Sequence, residues 1–393
     1  MLKLEAGIFL RVFRCQDKQL MHGHLHLCCS DLPASCAATG RMGCTSNEYM
    51  CTFCNATIGS LADPTGFDLN YLRPTSDSRL LRYSFMWSET ENLDQREFLT
   101  RRSGKRWSPL DQLPGWMPSR DNPVDFMHSS LLGIVKHVSC EILLRGGMFI
   151  RKANQSNPLE KFESFIQNAI LWPASVGRLP KNVRTMAYLA QALSGGRVKA
   201  DEWRNLAAIL FIALYASWQE DGMIPNEEAP LPSHQNLTVA KSMIAQAKLV
   251  QKRRQKFLAS LNIARNQDGN NPSPPSPRRN YARHYNNVLK VWTQSGSISD
   301  YMRAHACLVQ AFQDWAAMGC HLVPYCHIAL HMLEGLRCNG PVYATWCFGP
   351  ERHNRILANV NHNGHGAGEL ESTMARAWLK MQLLQELVRL LRT

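Results

Sequence analysis

The sequence predicts a mainly α-helical protein with a small β part, on three observations. Residues 7–13 and 20–30 read as strands: "HGHLHL" alternates His22, His24 and His26 with Gly23, Leu25 and Leu27, the period of a half-buried strand. Strand signals then fade after residue 60. Helical patterns take over at about 125–148, 158–170, 182–194, 200–219, 237–265, 283–294, 298–317, 321–336, 350–360 and 368–391, separated by loops rich in Pro, Asp and Trp.

Local chemistry justifies these elements in turn. The turn-rich "SDLPAS" ends the second strand at Asp31. Two strands alone are not stable in water, so helices must cover them or the chain begins partway through a larger sheet. Asp125 fits the N-cap of a helix whose apolar positions are Met127, Leu131, Leu132, Ile134 and Val135. Asp201 and Glu202 in the first turn of 200–219 suit the positive end of that helix dipole. "NQDGNNPSPPSPRR" (266–279) has the composition of a linker. Three regions follow: 1–64 with the strands and a C-x2-C pair, 65–320 helical with that linker, and 321–393 with a histidine pair and the last helices.

Composition narrows the partners. The 393 residues carry 44 Lys plus Arg against 31 Asp plus Glu, a formal charge of +13, which favours a polyanion. The longest apolar run, "AAILFIALYASW" (207–218), has the length of a buried helix rather than of a membrane span. The N-terminus lacks the apolar core and cleavage site of a secretory signal. An odd 13 cysteines scattered along a long chain point to a reducing compartment, with some thiols on metal. The sequons at Asn55, Asn154 and Asn236 are then chance matches. No Gly-rich phosphate loop, G-x-S-x-G or H-E-x-x-H occurs, so those enzyme classes have no support.

In "MCTFC", Cys51 and Cys54 put two thiolates on one tight turn, half of a tetrahedral zinc site; a redox pair or two buried thiols would look the same. The other half has local candidates in Cys36, Cys44, His22, His24 and His26, and distant ones in "CHLVPYCHIALHMLEG" (320–335). There His327 and His331 stand four apart on one helix face, as zinc pairs do and as one solvated and one core histidine also would. Two basic groups stand out: Arg178, Lys181, Arg197 and Lys199 around two loops, and Lys252, Arg253 and Arg254 in "KLVQKRRQKF". Either group could neutralise phosphates or form a solvated face.

Taken together, "CCSDLPAS", "GCTSNEYMCTFC", "PVDFMHSSLLGIVKH", "WPASVGRLPKNV", "SGGRVKADEWRN" and "GPVYATWCFGPERHNRILANVNHNGHGAGELESTMARAW" resemble consecutive blocks of CACTA/EnSpm superfamily transposases, closest to the Plavaka-type elements of mushroom-forming fungi. The resemblance runs from about residue 20 to 390. It implies a partial RNase H-like (DDE transposase) core interrupted by a large helical insertion. On it, Asp31 is the second catalytic acid, Glu351 in "FGPER" the last, with Glu371 in reserve, and Asp125 and His128 form a D-x-x-H signature. It further implies two catalytic Mg²⁺ ions on carboxylates, DNA (transposon ends) as partner, a nuclear site of action and a possible homo-oligomer. By analogy with the related recombinase of antigen-receptor genes, Cys51, Cys54, His327 and His331 bind one structural Zn²⁺. The first acid belongs on an earlier strand, and neither Glu5 nor Asp17 replaces it, so the chain is expected to be an N-terminally truncated transposase, inactive alone. The alternative is a non-catalytic, zinc-stabilised nucleic-acid-binding protein derived from a transposon; a third reading is a helical scaffold with no DNA role.

Overall fold

The computed structural model describes residues 5–11, 16–173, 179, 199–232, 237–261, 279–292, 298–349, 351 and 369–390. It is mainly helical. Strands β1 (Ile8–Leu10) and β2 (Gln19–Met21) pair antiparallel, with Phe9 opposite Leu20. They are shorter than the sequence predicts and largely exposed. Residues 22–30 form no strand, although the histidines still face solvent while Gly23, Leu25 and Leu27 are half-buried. The alternation was real, but the segment has no partner strand among the described residues; His22 and His24 instead bond to Glu5. Among the described residues this pair is the only sheet.

The chain divides into two compact units, Met1–Thr345 and Trp346–Thr393. In the first, α1 (Leu32–Ala38) begins at Asp31, and two 3-10 turns, Ile58–Ala62 and Pro64–Phe67, follow the C-x2-C pair. Next come α2 (Asp77–Glu89) and α3 (Leu93–Ser103), which the sequence pattern did not reveal. Their caps were legible: Ser76 accepts from Arg79 N, Asn92 accepts from Gln95 N, and Gly104 closes α3 at φ 68°. What hid them is their surface. Leu80 and Leu99 are buried, but Phe85, Met86, Leu93 and Phe98 are exposed, so no single apolar stripe marks a core face.

The stretch from Met127 is π-helical, over Met127–Val135 and again over Val138–Leu144. Helices α4 (Pro158–Ser164), α5 (Ala200–Trp218), α6 (Leu237–Ser260), α7 (Tyr281–Trp292) and α8 (Ile298–Ala317) follow. The first π segment packs on α5, α5 on α4 and α7, and α7 on α8. Trp203, Leu210, Leu214, Phe312 and Trp315 are buried in this stack. Helix α6 lies on the turn Ile58–Ala62 and α8 on Pro64–Phe67, so two distant helices flank the segment that follows the C-x2-C pair.

The helix expected at 321–336 is broken into α9 (Pro324–Ile328), a 3-10 turn Ala329–His331, and α10 (Met332–Asn339). Gly133 lets α9 come close: a Cβ there would lie 2.6 Å from the Tyr325 ring. The second unit holds Glu351 and α11 (Glu369–Leu390). The helix expected at 182–194 and most of 350–360 lie outside the described residues. No described helix is long and apolar enough to cross a membrane.

Candidate metal centre

The C-x2-C turn is held from both sides. Thr75 N donates to Phe53 O (2.8 Å), Asn55 N to Arg73 O (3.1 Å), and the buried Arg41 guanidinium to Cys51 O (3.0 Å). Phe53 N points at Cys51 Sγ (3.3 Å), which aims the sulfur inward. From the far end of the chain, α9 and its 3-10 continuation deliver His327 and His331. Phe53 stacks on the His331 ring (centroids 5.0 Å, 27°), and Phe67 lies against His327 (6.4 Å).

The four side chains converge although up to 280 residues separate them. Cys51 Sγ lies 3.4 Å from His331 Nε2, Cys54 Sγ 3.1 Å from His327 Nε2, and the two Nε2 atoms 3.4 Å apart. All four donor atoms fall within 4.8 Å of one another. Tetrahedral zinc with ordinary Zn–S and Zn–N bonds sets its ligands about 3.3–3.8 Å apart. Cys51 and His327 are fully buried and Cys54 almost so. These residues can therefore hold a metal ion such as zinc.

Their protonation points the same way. Burial works against a Cys51 thiolate, but the hydrogen bond from Cys54 and the charges of His331 and His327 outweigh it and hold Cys51 well below the usual thiol range. The Cys54 thiol is pushed up by its bond to Cys51 and then by burial. Burial lowers His331, yet the neighbouring Cys51 thiolate raises it overall. Without a metal the cluster thus keeps protons that a divalent cation would displace. The local alternatives Cys36, Cys44, His22, His24 and His26 do not join the cluster. No disulfide joins the described cysteines.

The candidate acids are placed differently. Asp31 does not end a strand; it is the N-cap of α1, its Oδ1 accepting from Ala34 N at 2.7 Å. Asp125 is buried and caps the next helical segment, accepting from His128 N (2.8 Å) and facing His128 Nδ1 (2.6 Å). Both acids act on Tyr325: burial pushes its phenol up to about 12, and the charges of Cys44, Asp31 and Asp125 add to this. Glu351 is exposed in the second unit, its N donating to Cys347 O (2.9 Å). Glu371 stands in the first turn of α11.

Of the basic candidates, Arg178, Lys181 and Arg197 lie outside the described residues. Lys199 is exposed, its backbone N capped by Glu202. Lys252 is exposed, but Arg253 donates to His321 Nε2 (3.1 Å) and Arg254 to Asp63 Oδ2 (3.0 Å), both half-buried. Sequence reasoning missed Arg41 and Tyr325, for which only the folded contacts give a signal. No protein-family model matches the chain, and no curated protein matches it.

Proposed function

We propose that this chain is the later part of a CACTA-like DDE transposase whose ancestral activity is Mg²⁺-dependent DNA cleavage and strand transfer in the nucleus. The convergence of Cys51 and Cys54 with His327 and His331 carries the reading, because the family resemblance implied that pairing. A zinc ion there would staple the two ends of the helical insertion. Asp31 and Asp125, whose charges both act on Tyr325, supply carboxylates of the type that hard Mg²⁺ takes. DNA is the partner, and the net charge of +13 suits its phosphates.

One observation favours a second reading, a non-catalytic zinc-stabilised DNA-binding protein. Asp31 is already committed to a helix cap. Incubating the purified chain with plasmid DNA carrying candidate transposon ends and Mg²⁺ or Mn²⁺ separates the two. Salt-sensitive binding without cleavage, unchanged in Asp31→Ala, supports the second reading. Cleavage abolished by Asp31→Ala supports the transposase reading and overturns the expectation that the chain is inactive alone. Absence of any DNA binding overturns both.

A further inference from the structure

The hairpin of α2 and α3 carries a surface that the metal centre does not use. Its outer side encloses a concave volume of about 760 Å³ lined by Arg79, Arg82 and Arg102, with Tyr83, Met86 and Phe98 between them and no acidic side chain. The three arginines are exposed, and no carboxylate pairs with any of them among the described residues. Their neighbours differ: Arg101 pairs with Glu97, and Arg96 lies over the Trp87 ring at 4.4 Å. The apolar members are open too, Phe98 at 59% and Met86 at 41%. Arg79 sits over the Tyr83 ring at 5.7 Å. Arg102 and then Arg79 draw the Tyr83 phenol below its ordinary value.

The hairpin is anchored to the rest of its unit. Leu80, Ser84 and Leu99 are buried beneath it, and Trp87 Nε1 donates to Thr100 Oγ1 at 3.2 Å. Tyr49 Oη donates to Arg102 O at 2.7 Å and to Arg101 O at 3.0 Å. Gly104 leaves room for that ring, since a Cβ there would lie 2.4 Å from it.

We infer that the α2–α3 hairpin binds single-stranded nucleic acid, with Arg79, Arg82 and Arg102 on successive phosphates and a base stacked against Phe98 and Tyr83. Arg79 and Arg82 are three apart on one helix face and Arg102 stands across the groove, so the charges form a track rather than a point. Guanidiniums along a backbone with aromatic faces for the bases are the means by which proteins hold single strands. A duplex keeps its base faces stacked inside and would leave the apolar floor unused. A membrane surface would need apolar side chains projecting from a convex face, whereas these line a basin. The inference rests on the DNA-partner part of the proposed function and assigns a place and a strandedness to it.

Fluorescence anisotropy of the full chain with labelled oligo-dT of about 16 nucleotides tests it, beside a duplex of equal length. The triple variant Arg79→Gln/Arg82→Gln/Arg102→Gln is expected to weaken oligo-dT binding by at least about tenfold and to flatten the log–log salt slope by about 2. Phe98→Ala is expected to weaken it about tenfold with the slope unchanged. Lys161→Gln, at an exposed lysine of α4 outside the groove, leaves it unchanged. Unaltered thermal midpoints establish that the variants fold. Oligo-dT binding that ignores the triple variant overturns the inference, as does equal dependence of duplex and oligo-dT on the groove, or Phe98-dependent binding to phosphatidylserine vesicles without oligo-dT binding. Duplex binding independent of the hairpin would sink the inference and spare the proposed function. Hairpin-dependent oligo-dT binding with no affinity for transposon-end DNA would do the reverse.

Discussion

Two buried polar centres of the first unit solve the same problem in opposite ways. At the first, Lys105 and Asp111 pair with both side chains fully buried, and Lys105 Nζ also donates to Thr39 O at 2.7 Å. Asp111 Oδ2 accepts from Ser108 N at 3.0 Å as well. Burial lowers Lys105, and Asp111 opposes it, so the two charges offset each other inside the chain, although Asp111 Oδ1 has no hydrogen-bond partner among the described residues. At the second, Cys51, Cys54, His327 and His331 turn their donor atoms on one another, and His327 Nδ1 has no partner among the described residues. Four metal-type ligands converging in one buried place can take a cation as their shared complement. The difference teaches that burial alone does not mark a candidate metal site; several metal-type donors converging on one point do.

Perturbing each centre sharpens this contrast. The largest effect is expected from the metal. Elemental analysis should find one zinc per chain, and strong chelation or Cys54→Ala should lower the melting temperature by on the order of 10 °C or more. A metal-free chain that melts unchanged would make the cluster a set of ordinary core thiols. Next comes Lys105→Met, which strands the Asp111 charge in a fully buried place and should cost about 3–5 kcal/mol in urea unfolding. That cost should be the same with and without chelator if the two centres are independent.

A third buried centre responds to pH. Arg253 can only donate to His321 Nε2, so that ring is neutral; burial, then the neighbouring His137 and Arg253, lower it from 6.5 to about 3. His137 is also lowered, chiefly by burial, and faces His321 O at 2.6 Å. The unfolded chain binds these protons first, so the stabilisation is complete above pH 6.5 and is lost as pH falls from there towards 3. His321 should remove about 1.4 kcal/mol per pH unit in that window, and His137 steepens the loss below pH 6.5 in the same direction. His321→Gln should reduce the slope of a denaturation series measured in chelator. The smallest effect is expected at Asp31: as an N-cap its replacement by Ala costs about 1 kcal/mol. A gain in stability on Asp31→Ala would instead mark a strained, functional carboxylate.

What could be read from the sequence follows the same logic. The C-x2-C pair and the i, i+4 histidines were visible because their spacing is local, and the resemblance joined them; the 3-10 break between His327 and His331 was not visible. Helices α5, α6 and α8 were legible from period and caps. Helices α2 and α3 were not, because their exposed aromatic and basic residues obscure the period that marks a core face. "HGHLHL" carried the right alternation, but strand pairing depends on a partner that alternation does not encode. Arg253 and Arg254 read as phosphate contacts or a solvated face, yet tertiary contacts with His321 and Asp63 had claimed them.

The span between Cys51 and His331 has a consequence for how the chain is made. Ribosomes add about 5–20 residues each second, so some 280 residues correspond to about 14 to 56 s of synthesis. During that interval Cys51 and Cys54 have emerged while their histidine partners do not yet exist. The early segment must wait, reduced and open to other metals or to chaperones, until the last quarter of the chain arrives to close it.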